Sequence, residues 1–378
     1  MASLPPKMRA QVLTAYNRPY TLRETPLPTP TEPNDILIQV GAASYCHTDA
    51  VLASGQMPGL PLSFPHAGSH EFAGTVVAHA PSPSPLASSL APGTAVGVPG
   101  RSFRPCGTCF ECTKAAGNAQ DDDDVGYSVY CARAQNLGIS VDGGFREYAV
   151  VDARQVAPLP AGMASVDASV LMCAGVTVYG ALSRAGVEPG GRIGIVGCGG
   201  GLGHLGLQFA VRMGYKVVGV ESADAPLALA RGLDTGAWIV DARETDAAVV
   251  AEKVGREDGK SDRGHMGLDA VIILPESQKA FDYGMALLRT YGKCVVVSFP
   301  EKGFHVSARD LVFRHISVLG SLVGSNRTLR DMLNFAAKHD VRAKIKTFPL
   351  SKLNKLVEEY HKGEGGKLVI DMSLETPN

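Results

Sequence analysis

Arg192-Ile193-Gly194-Ile195-Val196-Gly197-Cys198-Gly199-Gly200-Gly201-Leu202-Gly203 decides how this chain is read. An apolar run of strand length feeds a turn made almost wholly of glycine, and a helical pattern, Leu202 to Met213, opens where the turn ends. In that context backbone amides and a helix N-terminus bind a pyrophosphate, which marks Gly200, Gly201, Leu202 and Gly203 as cofactor-binding candidates. The strict G-x-G-x-x-G string is not met: in the frame ending at Gly200 and Gly203, Cys198 holds the first position. Glu221 ends the next strand-like run, Lys216 to Val220. A carboxylate about 20 residues beyond the turn hydrogen-bonds the ribose 2′-hydroxyl of NAD and repels the 2′-phosphate of NADP. Residues 222–226 (Ser-Ala-Asp-Ala-Pro) offer no cation, so the expectation is NAD, with NADP less favoured.

Outward from the turn, strand-like and helix-like runs alternate. Pro226 to Leu233 reads as helix, and Trp238 to Val240, Ala270 to Leu274, Cys294 to Ser298 and Ile316 to Leu319 as strands. Such alternation makes a parallel sheet covered on both faces. The first ~150 residues differ. They carry short β-like runs at Ile36–Val40, Gly74–Ala78, Ala95–Val98 and Tyr148–Val151, and read as an irregular all-β lobe. Pro81 to Pro85 reads as a solvated loop and Asp121 to Asp124 as an exposed, self-repelling insertion. The last ~50 residues end in a strand, Lys367 to Met372, and are expected to return to the first lobe.

Thirty-six Lys and Arg balance 37 Asp and Glu, which gives no reason to expect nucleic acid or an anionic membrane surface. The N-terminal stretch has no apolar core of signal-peptide length, and no uninterrupted apolar run reaches roughly 18 residues. A cytoplasmic protein is expected, whose eight cysteines are reduced and whose close-spaced cysteines bind metal.

Cys106-x2-Cys109-x2-Cys112 places three thiols on one short loop, and Cys131 is the natural fourth. Four thiolates saturate a zinc ion, so this set predicts a structural site. Cys46, His70 and Cys173 form a second set. Two thiolates and an imidazole leave a position free for a substrate oxygen, as a catalytic zinc requires. Asp49 is placed to accept the other ring proton of His70. The expected content is two zinc ions per chain.

Together these stretches resemble the zinc-containing medium-chain dehydrogenase/reductase family, and within it the microbial alcohol dehydrogenases. Cys46-His47-Thr48-Asp49, His70-Glu71, the cysteine cluster, Cys173-Ala174-Gly175-Val176-Thr177-Val178-Tyr179, Gly200–Gly203 and Gly320-Ser321-Leu322-Val323-Gly324 carry the resemblance, which covers nearly the whole chain. It implies a GroES-like β-rich catalytic domain at 1–172, completed by 324–378, and a Rossmann NAD-binding domain at 173–323. It makes Glu71 an alternative zinc ligand and puts His47 and Lys367 at the cofactor pyrophosphate. Thr177 falls beside the nicotinamide, and Thr48 is the hydroxyl that passes the alcohol proton. The family forms dimers and tetramers, and the Ile316–Leu319 strand could pair across a two-fold axis. Three departures stand out. Ser69 replaces a glycine, the loop before Cys131 is about ten residues longer, and Val51 stands where many relatives carry the histidine that ends a proton relay. Cys198 and Cys294 match no ligand position and read as packing residues.

The expected chemistry is hydride transfer between NAD(H) and an alcohol/aldehyde or ketone pair. Two alternatives share the fold: reduction of an activated C=C or C=N bond, which Val51 motivates, and a non-catalytic nucleotide-binding zinc protein. Met57, Phe64 and Phe299 are candidate substrate-pocket residues.

Overall fold

The computed structural model describes residues 4–113 and 126–374; the Asp121–Asp124 run lies outside the described residues. β1 (Lys7–Val12) and β2 (Thr21–Pro26) form an antiparallel ribbon. β3 (Asp35–Tyr45) is the spine of the first lobe and is buried almost throughout, because both its edges are occupied. β4 (Glu71–His79) pairs with it on one side, and β6 (Tyr148–Asp152) covers its first half on the other. β5 (Ala95–Pro99) and β7 (Ala157–Pro158) extend the sheet beyond β4. Two register shifts interrupt the β3–β4 pairing, at Leu37/Ile38 and at Val40/Ala42. Bulges of this kind bend a strand and re-aim the residues beyond it, here the turn into Cys46.

The second lobe is a parallel sheet of six strands: β8 (Arg192–Val196), β9 (Lys216–Glu221), β10 (Trp238–Asp241), β11 (Leu268–Ile273), β12 (Leu288–Val296) and β13 (Ser317–Gly320). Their order, β10-β9-β8-β11-β12-β13, reverses between β8 and β11. That reversal is the topological switch point of a doubly wound sheet, and it opens a crevice beyond the carboxyl end of β8, where the glycine turn sits. β12 starts six residues before the expected strand and stops short of Val297 and Ser298. Its early pairing at Leu268↔Leu288 is set by an irregularity in the ladder, and at its far end Ser298 turns its hydroxyl to the Pro275 carbonyl (2.8 Å).

β14 (Ile345–Phe348) and β15 (Lys367–Asp371) rejoin the first sheet. β15 pairs antiparallel with Ala42–Tyr45, the half of β3 that β6 leaves open. The C-terminal segment thus carries Lys367 to the end of β3, next to Cys46. The helical run Ser165–Ala185 joins the lobes. By length and composition this 21-residue run could cross a membrane (hydropathy 1.5 over its most apolar window), but 67% of that window is buried inside the fold, as befits a core helix.

Candidate active site and metal centres

Cys46 follows β3 and precedes the helix His47–Ala53. Asp49 fixes this entry: one of its oxygens accepts from the Cys46 amide (2.9 Å) and the other from the Ser69 amide (2.8 Å). His70 immediately precedes β4, at the same end of the sheet. Cys173 comes from the interlobe helix, within a π-helical turn, Leu171–Gly175. A π-turn inserts one residue into the helical ladder and re-aims a side chain, a device common at functional sites.

The ligand atoms of Cys46, His70 and Cys173 lie within 4.8 Å of one another, with His70 Nε2 3.3 Å from Cys173 Sγ. Asp49 was expected to hydrogen-bond the other ring nitrogen. Its Oδ2 is instead 3.7 Å from His70 Nδ1, a charge contact rather than a hydrogen bond, because both oxygens are already engaged by backbone amides. The hydrogen bond from Cys173, together with His70 and Lys367, holds the Cys46 thiol well below its ordinary value, against burial. Cys173 is correspondingly raised. Burial pushes His70 down, but Cys46, Asp49 and Glu71 outweigh it and bring the ring to about 9. Burial raises Asp49 to about 6.

Glu71 is fully buried but stands outside the three-ligand group; its Oε1 takes the Lys367 ammonium. Lys367 also donates to the Tyr45 carbonyl (3.1 Å). Burial lifts Glu71 to about 7 even against Lys367. Glu71 Oε2 and Thr177 Oγ1 are buried without hydrogen-bond partners. Thr48 Oγ1 lies 3.9 Å from Cys46 Sγ.

Ser69 explains one departure from the family pattern. Its φ is +68°, a left-handed conformation that favours glycine. The serine is held there by its own hydroxyl, which donates to the carbonyls of Ser44 (2.9 Å) and Glu71 (3.3 Å).

The sulfurs of Cys106, Cys109, Cys112 and Cys131 also gather within 4.8 Å. A tetrahedron with ~2.3 Å Zn–S bonds has edges of about 3.8 Å; Cys109 and Cys131 are 3.9 Å apart. Backbone amides already point at the sulfurs, Cys109 N to Cys106 (3.3 Å) and Cys106 N to Cys131 (3.4 Å). The Thr108 and Cys109 amides bring the Cys106 thiol down to about 5.

A cleft of about 600 Å³ runs from Tyr45, Cys46 and His47 to Gly200, Gly201 and Leu202. At the turn, a Cβ on Gly203 would sit 2.1 Å from the Gly197 carbonyl and one on Gly199 1.9 Å from that of Pro226, so both must be glycine. His47 shares a hydrogen bond with the Tyr360 hydroxyl (2.7 Å) and lies 3.7 Å from the Glu276 carboxylate. Glu221 accepts from the amides of Gly199 (3.1 Å), Ser222 (2.9 Å) and Ala223 (3.3 Å). It shares a second cavity with Arg243, a cation the local sequence did not place there; that guanidinium is bound by Asp241 and Asp224.

Tyr360 and His204 escaped the sequence reading. His204 is buried and ties the turn to the C-terminal segment: Nδ1 bonds the Gly200 carbonyl (2.9 Å), and Nε2 accepts from the Lys344 amide (3.1 Å). Its only sequence signal was a histidine in the first turn of the helix Gly203–Arg212. Phe64 packs edge-on against Tyr16 and Phe299 is largely exposed; neither they nor Met57 border the cleft. Cys198 and Cys294 are fully buried in the core, as packing residues should be.

The alcohol dehydrogenase GroES-like domain matches residues 32–161 and the zinc-binding dehydrogenase domain residues 201–338. Alcohol dehydrogenase 1 of Emericella nidulans is 34% identical over 372 residues, 98% of this chain and 99% of its own length. An alcohol dehydrogenase of Geobacillus stearothermophilus is 32% identical over 365 residues, 96% of this chain and 99% of its own. The alcohol dehydrogenase of the archaeon Aeropyrum pernix superposes with a TM-score of 0.81 at 26% identity, over 96% of this chain and 99% of that one. Acetophenone reductase from Geotrichum candidum, solved in complex with NAD, shares the fold at a TM-score of 0.78 and 23% identity, over 98% of each chain. The chain belongs to the zinc-type medium-chain alcohol dehydrogenase family, with a GroES-like domain and a Rossmann domain.

Proposed function

We propose that this protein is a zinc-dependent oxidoreductase that transfers a hydride between NAD(H) and an alcohol/aldehyde or ketone pair. The observation that carries this reading is the shared cleft: one wall bears Cys46 of the open donor set, the other the glycine turn. Cys46, His70 and Cys173 would hold the catalytic zinc, and the two-sulfur, one-nitrogen donor set fits that ion with a position to spare. Zinc bound there supplies Lewis-acid polarisation of a substrate oxygen. Cys106, Cys109, Cys112 and Cys131 would hold a second, closed zinc. Glu71 is the reserve ligand, kept off by Lys367.

The chain's own residues do the rest. The turn amides at Gly200–Gly203 and His47 would bind the pyrophosphate, and Lys367 closes the cleft floor beside Gly201. Thr177, whose buried hydroxyl has no partner, would bond the cofactor on its nicotinamide side. Thr48 conducts the proton. Valine at 51 cannot receive it, so the outlet runs by His47, whose ring is held by Tyr360 and faces Glu276. Domain boundaries at 172/173 and 323/324, a homodimer or higher oligomer joined along the edge strand β13, and a reducing, cytoplasmic setting for the thiolate ligands complete the reading.

An alcohol and carbonyl panel followed by NADH absorbance tests it, with elemental analysis of protein purified without chelator. Expected are turnover, two zincs per chain and a higher kcat/KM with NAD than with NADP. Glu221→Ser with Ser222→Arg should move the ratio towards NADP. Binding of NAD with no turnover across the panel would favour the non-catalytic alternative. Conversion of an enal to the saturated aldehyde would favour C=C reduction.

A further inference from the structure

The cleft is short of positive charge where the cofactor's phosphates would lie. A pyrophosphate is doubly charged, and the amides of a turn offer only partial charges in return. The family resemblance puts Lys367 there, but its ammonium is already committed. It is 5% exposed and donates to the Glu71 carboxylate and the Tyr45 carbonyl. An ammonium has three donors, so one at most is left, and Glu71 offsets the charge. Lys346 lines the same cleft, but Glu359 holds it (2.5 Å) together with Lys362 (2.8 Å).

Lys344 is the lysine left over. It lines the cleft with Gly200, Gly201 and His47, it is exposed, and among the described residues it makes no ion pair. Glu364 borders the same end of the cleft, exposed and without an ion pair to Lys344. The backbone of Lys344 is fixed on both sides. Its amide donates to His204 Nε2 (3.1 Å), and His204 Nδ1 bonds the Gly200 carbonyl (2.9 Å), so one imidazole separates Lys344 from the turn. Its carbonyl accepts from the Lys367 amide (2.8 Å). Gly366, at φ +69°, permits this approach: a Cβ there would lie 2.7 Å from the Lys344 carbonyl oxygen. A flexible four-carbon stem rooted at this point can carry its ammonium across the width of one ring.

We propose that Lys344 is a binding residue for the cofactor's pyrophosphate, supplying the charge that Lys367 gives to Glu71. The inference rests on the dinucleotide site of the oxidoreductase reading, and a ligand series separates the two. Calorimetry on the purified full chain compares ADP-ribose, which carries both phosphates, with adenosine, which carries none. Wild type should bind ADP-ribose the more tightly. Lys344→Gln should weaken ADP-ribose and NADH by about 5–20-fold, the worth of an exposed charge-assisted contact, and leave adenosine unchanged. Lys344→Arg should keep most of the affinity. Glutamine preserves the backbone bonds to His204 and Lys367, so the melting temperature should not move. Added salt should weaken ADP-ribose less in Lys344→Gln than in wild type. Lys346→Gln, which removes a lysine that is already paired, should change ADP-ribose by less than about 2-fold. Unchanged ADP-ribose affinity in Lys344→Gln, an equal loss for adenosine, or an equal loss in Lys346→Gln would overturn the proposal and leave the dinucleotide site standing. A wild type that binds adenosine as tightly as ADP-ribose would remove the pyrophosphate site and sink the cofactor reading with it. Lys344-dependent ADP-ribose binding in a protein that turns over no alcohol or carbonyl would uphold Lys344 and sink the oxidoreductase reading.

Discussion

The two cysteine sets are built in opposite ways. Cys106, Cys109 and Cys112 come from one short loop and need only Cys131 from nearby in the chain, with local amides already aimed at the sulfurs. Cys46, His70 and Cys173 come from the end of one strand, the start of its neighbour and a π-turn in the interlobe helix. The first set closes on itself, its four sulfurs within 4.8 Å of one another. The second is assembled by the whole fold, and its Cys46 lines the cleft that reaches the glycine turn. A site made by long-range contacts can couple to a second domain, whereas a site made by one loop cannot.

The sharpest way to break this contrast is to remove one ligand from each set. Cys173→Ser should cut activity by at least ~10²-fold, lower the zinc content from two to one, and leave the melting temperature nearly unmoved. Cys109→Ser should instead lower the melting temperature by more than about 5 °C, since a structural zinc contributes folding free energy and domains of this size move about 2–4 °C per kcal/mol. Thermal melts and elemental analysis on the same preparations check both; equal melting temperatures for wild type and Cys109→Ser would count against the closed set.

A subtler probe touches only the open set. Asp49→Asn leaves one oxygen to serve the Cys46 and Ser69 amides and removes the charge 3.7 Å from His70. It should weaken zinc at that site about 10–100-fold without altering the closed one. Competition with a graded chelator, counting zincs retained, reads this directly.

Neither cluster should dominate acid sensitivity at the cofactor turn, where His204 sits. Burial lowers this histidine from 6.5 to about 4. Between those values the unfolded chain holds the extra proton, so stability falls as pH drops; above 6.5 the residue contributes nothing. The loss from pH 7 to 5 should reach about 2 kcal/mol. In His204→Gln it should shrink, as urea melts at the two pH values would show.

The smallest expected effect concerns Ser69. Ser69→Ala and Ser69→Gly both lose the hydroxyl bonds, but only alanine keeps the left-handed strain at φ +68°. Alanine should be the less stable by about 1 kcal/mol. Equal stabilities would mean that the backbone there relaxes, and that the open site tolerates more movement than its long-range assembly suggests.

Much of this was legible in the sequence because its causes are local. An apolar run into a glycine turn gave β8 and its helix, and Cys-x2-Cys-x2-Cys gave the closed cluster, since neither needs a partner far along the chain. Tyr360 and His204 were not legible, because nothing local distinguishes a tyrosine that holds His47 from one that packs. The sequence by itself determined which residue types could ligate metal, where the nucleotide turn lies and that Glu221 comes after it. Only the tertiary structure decided that Asp49 serves backbone amides rather than His70, and that Glu71 is claimed by Lys367. Ligand spacing and turn chemistry are properties of a few bonded residues. A hydrogen-bond donor or acceptor is allotted only when strands and lobes pack and the competing groups come within reach.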